Sequence, residues 1–345
     1  MDEKAGTLTP SSTFDAGKMV MPMTVSPDKK HLYAVVRAQP YRVLTLAIDP
    51  ATGKLTQEAI AALPDSMPYV STDPSGRLLF TSSYGGNKIA VLPIGADGRV
   101  TDGARQMILT GRNAHSIVSD PSGKYVFATN LGSDVVLQFV LNPATGMLEP
   151  NTPAQVATKP GFGPRHIIFS PDGKSVYVLT ELTGHVIHYA LDSAKGTLSE
   201  VESVASVPDD TGLSPGIAPP APPAFNATAP AAATVDDGKP KVWAADIGIT
   251  PNGKFLYTTE RTTSKIALFH VADGSGNLRY VTNYATEKQP RGIRIDPSGR
   301  FLVATGEKSD KIAVYVIDQV NGALTPIDRY PVDAGANWVE IVTLP

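Results

Sequence analysis

The sequence predicts an all-β protein, a seven-bladed β-propeller of four-stranded antiparallel blades. Three observations predict this fold. A turn centred on proline recurs along the chain, a turn centred on glycine recurs with it, and short runs rich in Val, Ile, Tyr and Phe lie between them. No segment carries the period of about 3.6 residues that an amphipathic helix requires. Four strands repeated every 40–50 residues or so are typical of propeller blades, which bury both sheet faces by packing around an axis.

The proline turn has the form Pro-[Asp/Ser/Asn]-[Gly/Lys]-[Lys/Arg], and successive copies start 47, 47, 50, 80 and 46 residues apart. The six copies begin at Pro27, Pro74, Pro121, Pro171, Pro251 and Pro297. The interval of 80 residues contains the Pro/Ala-rich stretch 207–241, which has no periodic apolar pattern. We therefore predict one domain over residues 1–345, with a mobile loop inserted at about 207–241.

Each repeat contains four predicted strands. An apolar run such as "HIIFS" precedes the proline, and a second run such as "SVYVLT" follows it. A third run such as "KIALFHV" leads through a Gly-x-[Leu/Val] turn into a more polar fourth strand. Runs of β-branched and aromatic residues bounded by Gly, Pro and Asp are typical of strands. The pattern predicts an antiparallel meander whose first strand lies nearest the propeller axis.

The glycine turn occurs once more often than the proline turn. Its seven copies lie at Gly6, Gly53, Gly98, Gly146, Gly196, Gly276 and Gly322. The first copy, "AGTLTP", stands at the start of the chain, and the last residues, "NWVEIVTLP", resemble a first strand. We predict a seventh blade with its outermost strand from the N-terminal segment and its innermost from the C-terminal segment, which removes open sheet edges. That blade is incomplete at the N-terminus: either about 20 residues precede Met1 or the blade is short.

The start of each first strand and the end of each second strand meet at one mouth of the central channel, because the two strands are antiparallel. Charged residues are rarely buried without a partner, so their presence at these positions predicts a polar, mainly cationic pocket. Six residues before the proline stand Met21, Pro68, His115, Arg165, Ala245 and Arg291, and ten residues after it stand Arg37, Tyr84, Leu131, Glu181, Arg261 and Glu307. Adjoining these positions are His166, Glu260, Asp246, Asn130 and Lys308.

Each of these candidates also has a purely structural interpretation. Arginine and glutamate at strand ends commonly form rim salt bridges of small energy, which is the alternative for Arg37, Arg261 and Glu307. A histidine on a strand is usually a hydrogen-bonded core residue. We expect this of His188 and His270, which lie on third strands away from the axis.

Other features favour function. His115 opens a channel-lining strand, and Arg165 and Arg291 share one repeat position, each after a proline that stiffens the backbone. A metal site built from His115, His166 and Glu181 is disfavoured, because the flanking arginines would oppose a cation. No phosphate-binding loop or nucleophile elbow is present. We predict neither a metal nor a cofactor.

Composition excludes several classes of function. The chain carries 30 basic and 33 acidic residues, a net charge of −3, without a long basic run, so neither nucleic acid nor a membrane is a predicted partner. It has no cysteine, which excludes disulfides and thiolate chemistry. The start, "MDEKAGTLTP", lacks the apolar core of a signal peptide. We predict a cytoplasmic protein, with export left open if residues precede Met1.

Several segments together resemble one family, the seven-bladed propeller lactonases. They are "MTVSPDKKHLYAVVR", "NAHSIVSDPSGKYV", "GPRHIIFSPDGKSVYVLTEL", "WAADIGITPNGKFLYTTERT" and "QPRGIRIDPSGRFL". They recur in the order typical of the family and cover nearly the whole chain apart from the insertion. The resemblance implies hydrolysis of 6-phosphoglucono-1,5-lactone to 6-phosphogluconate, in the pentose phosphate pathway and without a metal.

The resemblance also implies roles for particular residues. A related branch of the family lactonises carboxymuconates, and there a histidine, an arginine and a glutamate are the proposed catalytic groups. By motif these fall on His115, Arg165 and Glu181, with His115 and Glu181 both open as the general base. The predicted substrate-binding residues are Arg291, His166, Arg37, Arg261 and Glu307.

Two other functions stay open. A cyclising enzyme on the same scaffold would bind a dicarboxylate of the carboxymuconate type, and arginines bind carboxylates as well as phosphates. A propeller without catalysis would serve as a binding scaffold and would present aromatic or arginine anchors on a broad rim, rather than a ring of unlike titratable groups at one mouth. Aromatic residues make up only 7% of the chain, which disfavours the scaffold. The predicted partner is a small anionic lactone, and the oligomeric state is left open.

Overall fold

The computed structural model describes residues 1–219 and 236–344, and these residues contain six sheets of four strands each. Within every sheet the strands follow sequence order and pair with their neighbours in antiparallel fashion. The helices in these residues are the short 3-10 turns Leu131–Ser133 and Asp209–Thr211, and neither has the length or apolar character to cross a bilayer. The predicted all-β propeller with four-stranded antiparallel blades is confirmed for these six blades.

The strands are numbered along the chain, four to a blade. Blades one to three contain β1 (Val20–Val25), β2 (His31–Val36), β3 (Arg42–Ile48), β4 (Leu55–Ala62), β5 (Tyr69–Thr72), β6 (Leu78–Ser83), β7 (Lys88–Pro93), β8 (Gln106–Leu109), β9 (Ala114–Ser119), β10 (Tyr125–Asn130), β11 (Val135–Leu141) and β12 (Leu148–Ala157). Blades four to six contain β13 (Pro164–Phe169), β14 (Ser175–Thr180), β15 (His185–Asp192), β16 (Thr197–Ala205), β17 (Ala244–Ile249), β18 (Phe255–Glu260), β19 (Lys265–Val271), β20 (Leu278–Ala285), β21 (Pro290–Ile295), β22 (Phe301–Gly306), β23 (Lys311–Ile317) and β24 (Leu324–Pro331).

The apolar core lies between the blades. The first strands neighbour one another around the axis in the order β1, β5, β9, β13, β17, β21, and the second strands are buried along their whole length. Phe80 of blade two, for example, packs in one cluster with Val126 and Phe139 of blade three. Burial on both faces explains why the second strands are continuous apolar runs. Fourth strands such as β12 are largely exposed, in agreement with their polar sequence.

The glycine turns of blades two to six pack against the second strand of the preceding blade. Gly196 has a φ of +67° and lies so close to Tyr125 that a β-carbon would overlap its ring. The Tyr125 hydroxyl donates a hydrogen bond to the carbonyl of Ala194 at 2.7 Å. The same relation joins Gly98 with His31, Gly146 with Leu78, Gly276 with Ser175 and Gly322 with Phe255. Glycine recurs at this turn because of blade-to-blade packing as well as the left-handed backbone.

The predicted seventh sheet is not formed in the described residues, because neither 1–19 nor 332–344 contains a strand. Gly6 nevertheless packs against Phe301 of blade six as the other turn glycines pack against their neighbours. Trp338 lies beside β21, near the axis. The two segments thus contact blade six at separate places, Gly6 at β22 and Trp338 at β21. Within the described residues they share no ladder of hydrogen bonds.

The predicted insertion at 207–241 lies between blades four and five, since β16 ends at Ala205 and β17 begins at Ala244. Residues 220–235 of this stretch lie outside the described part of the chain. The segment before this stretch is anchored by a backbone hydrogen bond, which the Gly216 amide donates to the Leu182 carbonyl at 2.7 Å. The chain thus leaves and re-enters the ring close to the end of β14.

Replacing Gly196 with alanine tests whether packing, beyond backbone conformation, requires glycine at the blade turn. G196A is expected to lower the free energy of unfolding by about 2–5 kcal/mol, because left-handed strain is added to overlap with Tyr125. The matched control is Gly274, which has a φ of +75° and no atom within 4 Å of an added β-carbon. G274A is expected to cost only about 1–2 kcal/mol. Urea denaturation measures the free energy of unfolding of both variants. Equal losses of this free energy would show that packing against Tyr125 plays no part.

Candidate active site

The candidate residues meet at one channel mouth because each occupies the same place in its blade. His115, Arg165 and Arg291 are the second residues of β9, β13 and β21, all of which line the axis. Glu181 directly follows β14, and the antiparallel register of β13 and β14 sets it beside Arg165. Equal offsets from the proline turn therefore converge in space, and the polar pocket is built from the ends of different blades.

Glu181 is a buried carboxylate held between two arginines. Its Oε2 accepts a hydrogen bond from Nε of Arg165 at 2.6 Å, and its Oε1 lies 2.9 Å from Nη2 of Arg261. Arg165 is 2% exposed and Glu181 8%. Burial raises the pKa of Glu181, but the positive charges of Arg261 and Arg165 outweigh it and hold that pKa below its ordinary value. Burial lowers the pKa of Arg165 to about 10, so this pair is ionised at neutral pH.

His166 has a protein partner at both ring nitrogens. Nδ1 lies 2.8 Å from Oδ1 of Asp246, and Nε2 lies 3.0 Å from Nη1 of Arg165. Burial and the Arg165 charge lower the pKa of His166 to about 4, although Asp246 acts in the opposite direction. The imidazole is therefore neutral near pH 7 or so. Both ring nitrogens of His166 are engaged within the protein, and its predicted substrate-binding role stays a prediction.

His115 is the imidazole of the cluster without an ion pair. Its ring lies 5.2 Å from that of His166 and 5.9 Å from that of Tyr84, measured between centroids. Burial and the charge of Arg165 hold the pKa of His115 well below its ordinary value. Its buried Nδ1 has no hydrogen-bond partner among the described residues. A buried polar atom is normally hydrogen-bonded, so this unpaired nitrogen distinguishes His115 from the fully engaged His166.

Arg291 and Arg37 form the more open side of the cluster. Nη1 of Arg291 lies 3.2 and 3.3 Å from the two carboxylate oxygens of Glu307. Nε of Arg37 donates a hydrogen bond to Oγ of Ser66 at 3.0 Å. Burial and then the charge of Arg291 lower the pKa of Arg37, because the two guanidiniums are close enough to repel each other. Two positive charges thus share this side with one partly exposed carboxylate.

The structural alternatives fit some candidates and not others. Glu307 is in the predicted kind of rim salt bridge, with its side chain 36% exposed. Arg261 is not, since it pairs with buried Glu181 and also donates from Nε to the Trp243 carbonyl at 3.0 Å. His188 is a buried, hydrogen-bonded histidine as expected. His270 is hydrogen-bonded at its Nε2 but only half-buried.

The C-terminal segment supplies residues that the repeat alignment missed. Trp338 lies with its ring centroid 6.1 Å from that of His166 and 6.0 Å from that of Tyr69. Its Nε1 donates a hydrogen bond to Oε1 of Glu340 at 2.9 Å, and the same oxygen pairs with Arg294. The only signal in the sequence was the resemblance of "NWVE" to the start of a channel-lining strand. No proline turn follows it, so offset counting could not find it.

Comparison with known proteins places the chain in a family. A family model described as "Lactonase, 7-bladed beta-propeller" matches residues 1–341. The chain belongs to this seven-bladed β-propeller lactonase family.

Two curated relatives share nearly the full length. The 6-phosphogluconolactonase of Pectobacterium carotovorum is 40% identical over 98% of this chain and 93% of its own length. That of Serratia proteamaculans is 39% identical over the same shares. Among solved structures, the periplasmic gluconolactonase of Pseudomonas aeruginosa superposes with a TM-score of 0.80 at 28% identity, covering 94% of this chain and 88% of the other.

Folding stability is expected to fall as the pH drops from about 7 to about 5, because His115 and His166 stay neutral in the folded protein but take up protons in the unfolded chain. Burial lowers the pKa of both, to about 4 for His166. Their contribution is therefore complete above about pH 6.5 and is lost as the pH falls toward the folded values. Urea denaturation at the two pH values measures the drop. The free energy of unfolding should fall less in the double variant H115N/H166N than in the wild type, and as much in H270N as in the wild type. Equal falls in these three proteins would contradict the pKa directions.

Proposed function

We propose that this protein is a lactonase that hydrolyses a sugar lactone, 6-phosphoglucono-1,5-lactone, to 6-phosphogluconate. The observation that carries the proposal is a neutral imidazole, His115, beside a buried arginine–glutamate–arginine cluster at one channel mouth. Ester hydrolysis needs a proton acceptor for the attacking water and positive charge for the oxyanion, and these groups supply both. Membership of the lactonase family and the names of the two relatives near 40% identity support this reaction.

His115 is the proposed general base, rather than Glu181. Both oxygens of Glu181 are engaged by arginines, Oε2 by Arg165 and Oε1 by Arg261, so neither is available to a water molecule. His115 is neutral and has hydrogen-bonding capacity to spare. Water adds to the lactone carbonyl carbon while its proton passes to the imidazole. The tetrahedral intermediate then collapses, the ring C–O bond breaks, and the imidazolium returns the proton to the departing ring oxygen.

Arg165 is the proposed oxyanion-stabilising residue. Its Nε and Nη1 are held by Glu181, by His166 and by the Ala245 carbonyl. Its Nη2 makes no hydrogen bond within the described residues. The guanidinium is therefore fixed in place, and its Nη2 is left as a donor in a buried site. Such a donor stabilises the negative charge that develops on the oxyanion in the transition state. Glu181 and Arg261 then serve to hold Arg165 in place.

Arg291 and Arg37 are the proposed phosphate-binding residues. Burial and the charge of Arg291 lower the pKa of Arg37. Glu307 is the one carboxylate paired with Arg291 among the described residues, and Arg291 is more exposed than Arg165. A phosphate dianion would relieve the repulsion between Arg37 and Arg291, and the planar guanidinium fork suits bidentate contact with phosphate oxygens. Arg261, predicted as a substrate-binding residue, is less available because Glu181 and Trp243 engage it.

Arg165→Ala is expected to lower kcat by about 10²–10³-fold, because the oxyanion loses its charged donor. The fold should survive, since Glu181 keeps Arg261 as a partner. The matched control is Arg279→Ala on β20, outside the cluster, which should leave kcat unchanged. Lactone hydrolysis is followed spectrophotometrically at saturating substrate. Near-normal turnover by R165A would show that the role assignment is wrong.

The wild type is expected to prefer 6-phosphoglucono-1,5-lactone to glucono-1,5-lactone, because Arg37 and Arg291 would bind the phosphate group. R37A and R291A should each lose about 10–100-fold in kcat/KM for the phosphorylated lactone and little for the unphosphorylated one. The two lactones and a carboxymuconate are assayed side by side with one preparation. Equal rates on both lactones in the wild type would remove the phosphate from the proposal. Cyclisation of the carboxymuconate without lactone hydrolysis would favour the cyclising enzyme instead.

Other features of the protein belong to the same proposal. The six blades would form one domain, with the segment at about 207–241 inserted. The two terminal segments would take the outer and inner positions of a seventh blade, supported by the contact of Gly6 with Phe301 and by the match to a seven-bladed family. A cytoplasmic location and the lack of nucleic-acid or membrane partners stay predictions, and one structural relative is periplasmic.

A further inference from the structure

The partners of His166 determine which of its nitrogens carries the proton. An ionised carboxylate can only accept a hydrogen bond, and a guanidinium can only donate one. Nδ1, which faces Asp246, must therefore be protonated, and Nε2, which faces Nη1 of Arg165, must be the bare acceptor. The opposite tautomer would set two donors against each other at Arg165 and two acceptors against each other at Asp246.

Asp246 is held by the backbones of two blades. Its Oδ1 accepts a hydrogen bond from the amide of Ile247 at 2.9 Å, and its Oδ2 accepts one from the amide of Ile293 at 2.8 Å. Ile247 lies in β17 of blade five and Ile293 in β21 of blade six, whereas His166 lies in β13 of blade four. One carboxylate thus connects the first strands of three successive blades. Its position is set by the ring of blades itself.

Aromatic side chains restrict the imidazole from its other sides. Tyr69 lies edge-on with its centroid 5.2 Å from that of His166, and Trp338 lies edge-on at 6.1 Å. Trp338 is in turn held by Glu340, which pairs with Arg294 of β21. The ring is therefore fixed in rotation as well as in tautomer. Its bare nitrogen has a single direction, toward Arg165.

We propose that His166 and Asp246 are positioning residues: His166 orients the guanidinium of Arg165 through Nε2, and Asp246 locks the tautomer that makes this possible. The inference rests on the proposed function of Arg165. Nε of Arg165 is held by Glu181 and Nη1 by the Ala245 carbonyl. The contact with His166 adds the constraint that fixes the plane of the guanidinium, and with it the direction of the remaining donor, Nη2.

Two amide substitutions at His166 separate this role from others. Glutamine reaches far enough for its carbonyl oxygen to replace Nε2 as the acceptor for Arg165. Asparagine is one carbon shorter, and its amide NH2 can replace only the Nδ1 donor to Asp246. Both remove the imidazole and neither can transfer a proton. His270→Asn, on β19 outside the cluster, is the matched control.

H166N is expected to lower kcat by about 10²-fold and to leave KM within about two-fold of the wild-type value. A misdirected Arg165 guanidinium affects the transition state and not phosphate binding. The kcat of H166Q should be about ten-fold or more above that of H166N. The kcat and KM of D246N should be similar to those of H166N. H270N should match the wild type in kcat and KM. A rise in KM in both amide variants would mean that His166 binds substrate. Equal loss of kcat in H166N and H166Q, or no loss in either, would overturn the positioning role.

A second measurement does not depend on activity. ¹⁵N NMR of the histidine-labelled wild type should show His166 as the neutral Nδ1–H tautomer from about pH 6 to about pH 9, with H166Q identifying the signal. D246N should abolish this pure tautomer. If the wild type hydrolysed no lactone but showed this tautomer, the proposed function would fail while the Asp246–His166–Arg165 connection stood. An Nε2–H or protonated ring in the wild type would refute the connection even in an active enzyme.

Discussion

A four-stranded sheet with two apolar faces can bury both of them only between neighbouring sheets, and this constraint determines the rest of the structure. The second strands are buried along their whole length, and most of the core is divided into clusters that each join two neighbouring blades. The ring that results brings the first strands to the axis. Polar residues at the ends of these strands, such as His115, Arg165 and His166, are then buried between blades. The chemistry of the channel mouth follows from this enclosure.

Enclosure makes the charges of the site depend on one another. Burial alone would favour the neutral forms of Arg165 and Glu181, and their contact keeps both ionised. Burial, together with the positive charge of Arg165, holds His115 and His166 neutral. A neutral imidazole beside a fixed guanidinium is the combination that ester hydrolysis needs. The same residues on a solvated surface would be screened and nearly independent.

Much of the fold and part of the site could be predicted from local patterns. Antiparallel pairing between consecutive strands is local, so counting from the proline turn correctly set Arg165 beside Glu181. The glycine turns were recognisable for the same reason. The partners that other blades contribute to the site residues could not be predicted from local patterns. Asp246 reaches His166 across 80 residues of chain, and Arg261 reaches Glu181 across blades separated by the insertion. Trp338 has no proline turn from which to count.

The sequence by itself determined the repeat, the strand order within each blade, and the residue types at the strand ends, because these depend on hydrophobic periodicity and short-range turns. Only the tertiary structure decided which charges neutralise each other and which nitrogen of His166 is free of its proton. It also decided that the described parts of the two terminal segments contact blade six at separate places without forming a sheet. These features depend on contacts between blades, and the packing of side chains across a ring is not encoded in any one repeat.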